Sequence, residues 1–100
     1  MAGYLIAEIA DVRDEKAYAE YRTKVSYGLV AAGGRYLARG GPIEVLEGRW
    51  RPGRIVLVRF ESMDEARAWW SSSDYEELKR LRQRSVTTNM IVVEGLPGAE

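Results

Sequence analysis

Extended apolar segments alternate with helical patterns along this chain, and their order restricts the fold more than any single motif. Residues with strand character occupy positions 4–9, 35–39, 54–60 and 87–94. Between the first two strands, apolar side chains recur every three or four positions, at Tyr18, Tyr21, Val25 and Leu29. This spacing predicts one face of a helix that reaches about residue 32.

Polar residues and glycines mark the predicted helix ends. Asp14 is placed to cap the first helix, and Gly33 and Gly34 follow its end. Ser62 opens a capping-box pattern for a second helical region, and the same pattern at Ser73 predicts that a separate short helix starts there. The resulting order, β-α-β-β-α-β with a broken second helix, predicts an α+β protomer of the ferredoxin-like type with a four-stranded antiparallel sheet.

The segment between the second and third strands is rich in turn residues. Gly40, Gly41 and Pro42 close the second strand. Residues 43–47 then nearly alternate apolar and charged side chains, which predicts either an extension of that strand past a bulge or an edge segment. Residues 48–53 are predicted to form a loop.

The composition limits the partners that this chain can have. Its 100 residues predict one domain spanning residues 1–100, and 15 Lys and Arg balance 15 Asp and Glu. No net positive field therefore favours nucleic acid or an anionic membrane. No stretch approaches the roughly 20 apolar residues of a membrane span, and the N-terminal residues lack a signal-peptide pattern. We expect a cytoplasmic protein that binds neither nucleic acid nor membrane.

The sequence contains no cysteine and no histidine. These absences exclude disulfides, thiolate catalysis and a Ser-His-Asp triad, and they remove the most frequent zinc ligand and the usual haem ligand. Chemistry would depend on carboxylates, Arg, Lys, Tyr, Ser, Thr or the backbone. No residue pattern predicts a metal or a cofactor.

Two strand segments, residues 55–58 and 90–93, carry apolar side chains at consecutive positions. In a ferredoxin-like protomer both helices lie on one face of the sheet, so the apolar side chains of the other face need a different cover. Large exposed apolar patches are rare on monomers, and a two-fold pair needs only one self-complementary patch. The sequence therefore predicts a homodimer that pairs through the open sheet face, which gives a dimeric α/β barrel.

Several segments together resemble a known family. They are residues 18–22, 33–41, 46–50, 54–60, 66–70, 73–75 and 81–82. This combination covers nearly the whole chain and resembles domain-of-unknown-function family 1330, within the dimeric α/β-barrel superfamily. The resemblance implies a ferredoxin-like protomer and a sheet-on-sheet homodimer. It implies no particular activity, because superfamily relatives include oxygenases, isomerases, haem enzymes and stress-response proteins.

Two arginines are candidates for holding an anionic ligand. Arg39 ends the second strand, where its guanidinium fork could bind a carboxylate or phosphate between sheet and helices; the alternatives are a structural salt bridge or a solvated strand end. Arg82 lies on the apolar stripe of the last helix, and a buried charge usually has a partner. That partner is either an internal carboxylate, such as Glu8, or a ligand.

Glu8 interrupts the apolar first strand. A carboxylate beside a cleft could act as a general base with a raised pKa. The alternative, which we favour, is an ion pair with Arg39, Arg59 or Arg82.

Aromatic residues offer a second set of candidates. Trp70, Tyr75 and Tyr21 could form the wall of a small pocket, although aromatic residues at helical spacing more often belong to the core. A buried Tyr21 hydroxyl needs a partner and could act as a base or orient a ligand. Trp69 and Trp70 are adjacent, so they are predicted to face different surroundings.

These candidates support three hypotheses. The first is a small dimeric enzyme of isomerase or oxygenase type that acts without a cofactor on a small organic acid, with Glu8 or Tyr21 as base and Arg39 and Arg82 holding the anion. The second is a non-catalytic module that binds such a ligand. The third is a purely structural dimer. A cavity at Arg39 or Arg82 favours ligand binding, whereas a closed interior with Glu8 paired to an arginine favours the structural role.

Overall fold

The computed structural model describes residues 1–98, and this part of the chain contains four strands and three helices. In order they are β1 (Gly3–Val12), α1 (Glu15–Ala31), β2 (Arg35–Arg39), β3 (Arg54–Phe60), α2 (Met63–Trp70), α3 (Ser73–Ser85) and β4 (Val86–Glu94). The predicted β-α-β-β-α-β order, with its second helix in two pieces, is confirmed.

The strands form one antiparallel sheet in the order β2-β3-β1-β4, which is the ferredoxin-like arrangement. Leu5 of β1 lies opposite Val58 of β3 and Val92 of β4. The register shifts once between Tyr36 and Ala38, where β2 pairs with β3. This shift decides which face of the sheet the end of β2 presents to α1.

Side-chain caps start all three helices. Asp14 accepts a hydrogen bond from the Ala17 amide (3.0 Å) and Ser62 accepts one from the Glu65 amide (3.1 Å), as the sequence predicts. The third cap is Ser72, one residue before the predicted Ser73. Within residues 1–98, no helix has both the length and the apolar composition that a bilayer crossing requires.

The core lies between the helices and one face of the sheet. The predicted α1 stripe is buried over its whole length. It packs with alternate residues of the central strands and with residues of the other helices, among them Leu5, Ala7, Ile9, Val58, Phe60 and Trp69. Phe60 and Val58 are the largest hydrophobic side chains with almost no exposed surface. Deep burial at these positions follows because helices cover both central strands on this side.

The opposite face of the sheet has no helix over it in the described part of the chain. Ile6 of β1 lies between Leu57 of β3 and Ile91 of β4, so three large aliphatic residues form a row across this open face. Ile91 is 60% exposed and Val93 is 46% exposed. The structure contains one protomer, so the pairing of two open faces stays a prediction.

Residues 40–53, between β2 and β3, form no regular structure. The prediction that residues 43–47 extend β2 or form an edge segment is therefore wrong. Gly40 has a φ of 72°, which turns the chain away from the strand direction, and Pro42 has no backbone N–H for a ladder. All of residues 40–51 are exposed, so no packing compensates for these two breaks.

Candidate functional site

A pocket of about 310 Å³ opens between α2, α3 and β4. Most of its wall is apolar, and polar residues line it on the helix side and on the strand side. Its lining residues include Leu5, Ala66, Arg67, Trp70, Arg82, Thr88, Met90 and Ile91. We call this space the α3 pocket. Its volume is at the lower end of the range that small-molecule sites occupy, roughly 300–1,000 Å³.

Arg82 brings a positive charge into this pocket. The residue is only 5% exposed, because α3 turns it inward at the same face as Tyr75. Its Nε donates a hydrogen bond to the Tyr75 hydroxyl at 3.2 Å. No carboxylate of residues 1–98 lies within 4.0 Å of its guanidinium nitrogens. A buried guanidinium stays charged, so the protomer holds a positive charge that nothing described in it neutralises.

Of the two partners predicted for Arg82, the internal carboxylate is therefore wrong, because a tyrosine hydroxyl occupies that place, and the ligand stays a prediction. The Tyr75 hydroxyl lies 2.7 Å from the Tyr21 hydroxyl, so Arg82, Tyr75 and Tyr21 form one hydrogen-bonded chain through the core. Burial raises the pKa of Tyr21, and the adjacent Tyr75 raises it further. This direction is opposite to what a general base near neutral pH needs. These hydrogen bonds hold the Arg82 side chain in position, but the neutral hydroxyls do not cancel its positive charge.

The two adjacent tryptophans face different surroundings, as the sequence predicts. Trp69 is buried, and its ring centroid lies 4.1 Å from that of Tyr75. Trp70 is 41% exposed and lies at the rim of the α3 pocket, where the Lys79 Nζ sits 3.7 Å from its ring centroid. Of the three residues predicted to form an aromatic wall, only Trp70 lines the α3 pocket. Tyr75 and Tyr21 lie in the core, where they connect to Arg82 through hydrogen bonds.

Thr88 is a pocket residue that the sequence analysis missed. The residue lines the α3 pocket, and its Oγ1 is buried and has no hydrogen-bond partner among the described residues. A buried hydroxyl without a partner is costly. The only signal in the sequence is a hydroxyl residue two positions before Met90 in a strand, which is too common to be informative.

Arg39 lies at the other end of the sheet. The register shift in β2 places it opposite Val56, on the side that faces α1. Its Nη1 donates to Ser26 Oγ and its Nη2 donates to the Arg22 carbonyl, both at 2.8 Å. Arg39 and Arg82 both reach a narrow interior cavity of about 40 Å³, which has room for a few water molecules. Only Arg82 lines the α3 pocket, so the structure does not bring the two arginines together around one organic acid.

Glu8 lies on the open face of the sheet, whereas Tyr21 lies under the helices. Three neutral groups donate to its carboxylate: Asn89 Nδ2 at 3.0 Å, Trp50 Nε1 at 3.1 Å and the Gly53 amide at 3.3 Å. These hydrogen bonds, that of Asn89 above all, lower the pKa of Glu8. The expected raised pKa, and the expected ion pair with an arginine, are therefore both wrong. Within a protomer Glu8 and Tyr21 do not share a site.

The fold has close structural relatives. A protein of unknown function from Rhodopseudomonas palustris superposes with a TM-score of 0.77 at 16% identity, over 95% of this chain and 82% of that chain. An ethyl tert-butyl ether d family protein from Bacillus halodurans gives 0.67 at 12% identity, over 96% and 100% of the two chains. A dimeric ferredoxin-like protein of unknown function from Thermobifida fusca gives 0.65 at 14% identity, over 95% and 92%.

These identities show the fold alone, whereas the sequence itself shows the family. No curated protein matches the chain. The model of a domain of unknown function, DUF1330, matches residues 2–96, which is nearly the whole chain and includes every strand, every helix and the α3 pocket. The resemblance inferred from the sequence segments is confirmed, and this protein belongs to the DUF1330 family.

Proposed function

We propose that this protein binds a small carboxylic acid in the α3 pocket, with Arg82 pairing with the carboxylate. The observation that carries the proposal is the burial of Arg82 without a carboxylate within 4.0 Å among the described residues. Buried charges in proteins are normally paired. A bound carboxylate would supply the missing negative charge.

The chemistry of the pocket wall suits the rest of such a ligand. Leu5, Ala66 and Met90 offer an apolar surface to a short hydrocarbon portion. Thr88 adds a polar residue to this wall. Trp70 would shield the ligand from solvent at the rim. Arg67 also lines the pocket but pairs with Asp64, so Arg82 is the one unpaired cation there among the described residues, which favours a monocarboxylate over a more highly charged ligand.

The geometry favours binding over catalysis. Tyr21 has a raised pKa and is hydrogen bonded to Tyr75, and Glu8 lies on the other face of the sheet. Neither residue contacts the α3 pocket within the protomer. The isomerase or oxygenase hypothesis stays a prediction, and it has no base among the polar residues of this pocket.

We also propose that two copies pair through their open sheet faces. The row of Ile6, Leu57 and Ile91 supplies a self-complementary apolar patch. Structural relatives described as dimeric ferredoxin-like proteins support a homodimer. Most residues of the α3 pocket belong to the helix side of the sheet, but Ile91 lines the pocket and also belongs to the open-face row, so the proposed interface would reach the edge of the pocket.

Titration calorimetry with acetate, butyrate, hexanoate and benzoate at fixed ionic strength tests the proposed ligand class. We expect affinity to rise with apolar size until the pocket is full. Arg82→Met should weaken binding about tenfold or more, because it removes a charge-assisted hydrogen bond. Arg49→Met, which removes the same charge from the exposed loop, is the matched control. No binding by the wild type, or equal binding by Arg82→Met, would overturn the proposal.

A further inference from the structure

Three arginines converge at the opposite end of the interior from the α3 pocket. Arg22 comes from α1, Arg39 from β2 and Arg54 from the start of β3. Together with Ala19 and Thr23 they line an open depression of about 390 Å³. We call these three residues the arginine triad. No acidic residue lines the depression or the narrow cavity beneath it.

The pairing of β2 with β3 directs Arg39 toward α1. An unshifted ladder continuing from the Tyr36–Val58 pair would place Arg39 opposite Ile55, on the open face of the sheet. The register shift places it opposite Val56 instead, where it lies against α1. Arg39 is then fixed by Ser26 Oγ and the Arg22 carbonyl. These two bonds use two of the five N–H groups of its guanidinium and leave three for another acceptor.

Arg54 occupies a space that a glycine leaves free. Gly40 has a positive φ of 72°, and a Cβ at this position would overlap the Arg54 guanidinium. The Nε of Arg54 is buried and has no hydrogen-bond partner among the described residues. The glycine therefore serves two purposes, since it turns the chain after β2 and lets Arg54 lie against the backbone.

Arg22, the third arginine of the triad, lies beside the ring of Tyr18. The Arg22 guanidinium carbon lies 5.3 Å from the Tyr18 ring centroid. Burial raises the pKa of Tyr18, and the positive charges of Arg54, Arg22 and Arg39 all oppose that rise. All three guanidinium groups thus lie near enough to one hydroxyl for their charges to be felt there.

None of the three arginines has an acidic partner in residues 1–98, where every ion pair involves other residues. Three like charges in one depression repel each other. We propose that the arginine triad is a second binding site, which takes the doubly charged oxyanion of a phosphate group. Guanidinium groups match phosphate oxygens in geometry, and a dianion balances three positive charges better than a monocarboxylate does. The open depression leaves room for a small organic group attached to the phosphate.

Calorimetry at fixed ionic strength with inorganic phosphate, phenyl phosphate and acetate tests this site. It is run on the wild type and on Arg82→Met, because the α3 pocket of the wild type is itself proposed to bind acetate. We expect both phosphates to bind and acetate to bind at least about tenfold more weakly there. Tighter binding of phenyl phosphate would indicate a phosphate monoester, and equal binding would indicate free phosphate as the natural ligand. Binding of acetate to Arg82→Met as tight as that of phosphate, or no binding of phosphate, would overturn the proposal.

Variants locate the site and separate it from the α3 pocket. Arg22→Met and Arg54→Met should each weaken phosphate binding about tenfold or more, whereas Arg49→Met in the exposed loop should not. Arg82→Met should leave phosphate binding unchanged, so failure at one site is distinguishable from failure at the other. Arg22 is exposed, and Arg22→Met therefore decides the outcome if Arg54→Met does not fold. Unchanged binding in Arg22→Met would refute the assignment.

Discussion

The two faces of the sheet are formed by alternate residues of the same strands, but they differ in how fully one protomer covers them. On the helix side, Val58 and Phe60 are almost fully buried within one protomer. On the open side, Ile91 and Val93 remain largely exposed although they are as apolar as the core. One face is covered by helices of the same chain, whereas the other has no helix over it among the described residues.

Polar groups differ between the faces in the same way. Between the helices and the sheet, Arg82 donates a hydrogen bond to Tyr75, and no carboxylate among the described residues pairs with its charge. On the open face, the charge of Glu8 is satisfied by donors from Trp50 and Asn89. The packed face therefore lacks a negative charge, whereas the exposed face lacks apolar cover. The proposed ligand binding and the proposed dimerisation would meet these two different needs.

Phe60→Ala tests the completed face and should have the largest effect. Removing a fully buried aromatic side chain should lower the free energy of unfolding by about 3–5 kcal/mol. Val93→Ala on the open face, whose side chain is 46% exposed in the protomer, should lower it clearly less. Urea unfolding of both variants in dilute solution measures the difference. Equal losses would mean that side chains on the two faces are equally well packed within one protomer.

Ile91→Asp tests the incomplete face. A carboxylate buried between two apolar faces would be unpaired, and we expect dimer affinity to fall roughly a hundredfold or more. Folding should survive, because Ile91 is 60% exposed in the protomer. Val30→Asp on the exposed side of α1 is the matched control and should leave the assembly unchanged. Sedimentation velocity measures both, and a wild type that is already monomeric at micromolar concentration would refute the pairing.

Arg82→Met separates a ligand site from a structural ion. If the charge of Arg82 is uncompensated without ligand, replacing it with an apolar side chain should change stability between zero and a gain of about 2 kcal/mol. Thermal unfolding of the ligand-free protein gives the sign. A loss of about 3–5 kcal/mol would indicate that Arg82 is satisfied within the protein, and the structural hypothesis would then hold.

The sequence predicted the element order because each segment carries its own periodicity. It also predicted that Arg82 faces inward, since the residue lies on the stripe of α3 that includes Tyr75. It did not predict the face of Glu8, because β1 is apolar at both odd and even positions from Tyr4 to Ala7. The charge of Glu8 was itself the signal for the solvent side of the strand.

The arginine triad could not be predicted, because it depends on strand register. A single shift beyond Tyr36 moves Arg39 from the open face to the face of α1. Only then does it meet Arg22 and Arg54. Nothing local in residues 35–39 specifies this shift, since it is set by how β2 pairs with a strand 15 residues later in the chain.

Glu8→Gln tests the satisfied charge of the open face and should have the smallest effect. The pKa of Glu8 is lowered in the folded protein, so its ionised form contributes stability above its unfolded pKa of about 4.3. That contribution is lost as pH falls through the lower pKa of the folded state. The melting temperature of the wild type should therefore drop more steeply below about pH 4.5 than that of Glu8→Gln. Glu77→Gln, at an exposed position on α3 without a hydrogen bond or ion pair among residues 1–98, is the control. Parallel curves for the wild type and Glu8→Gln would show that the donors from Asn89 and Trp50 do not hold the carboxylate in solution.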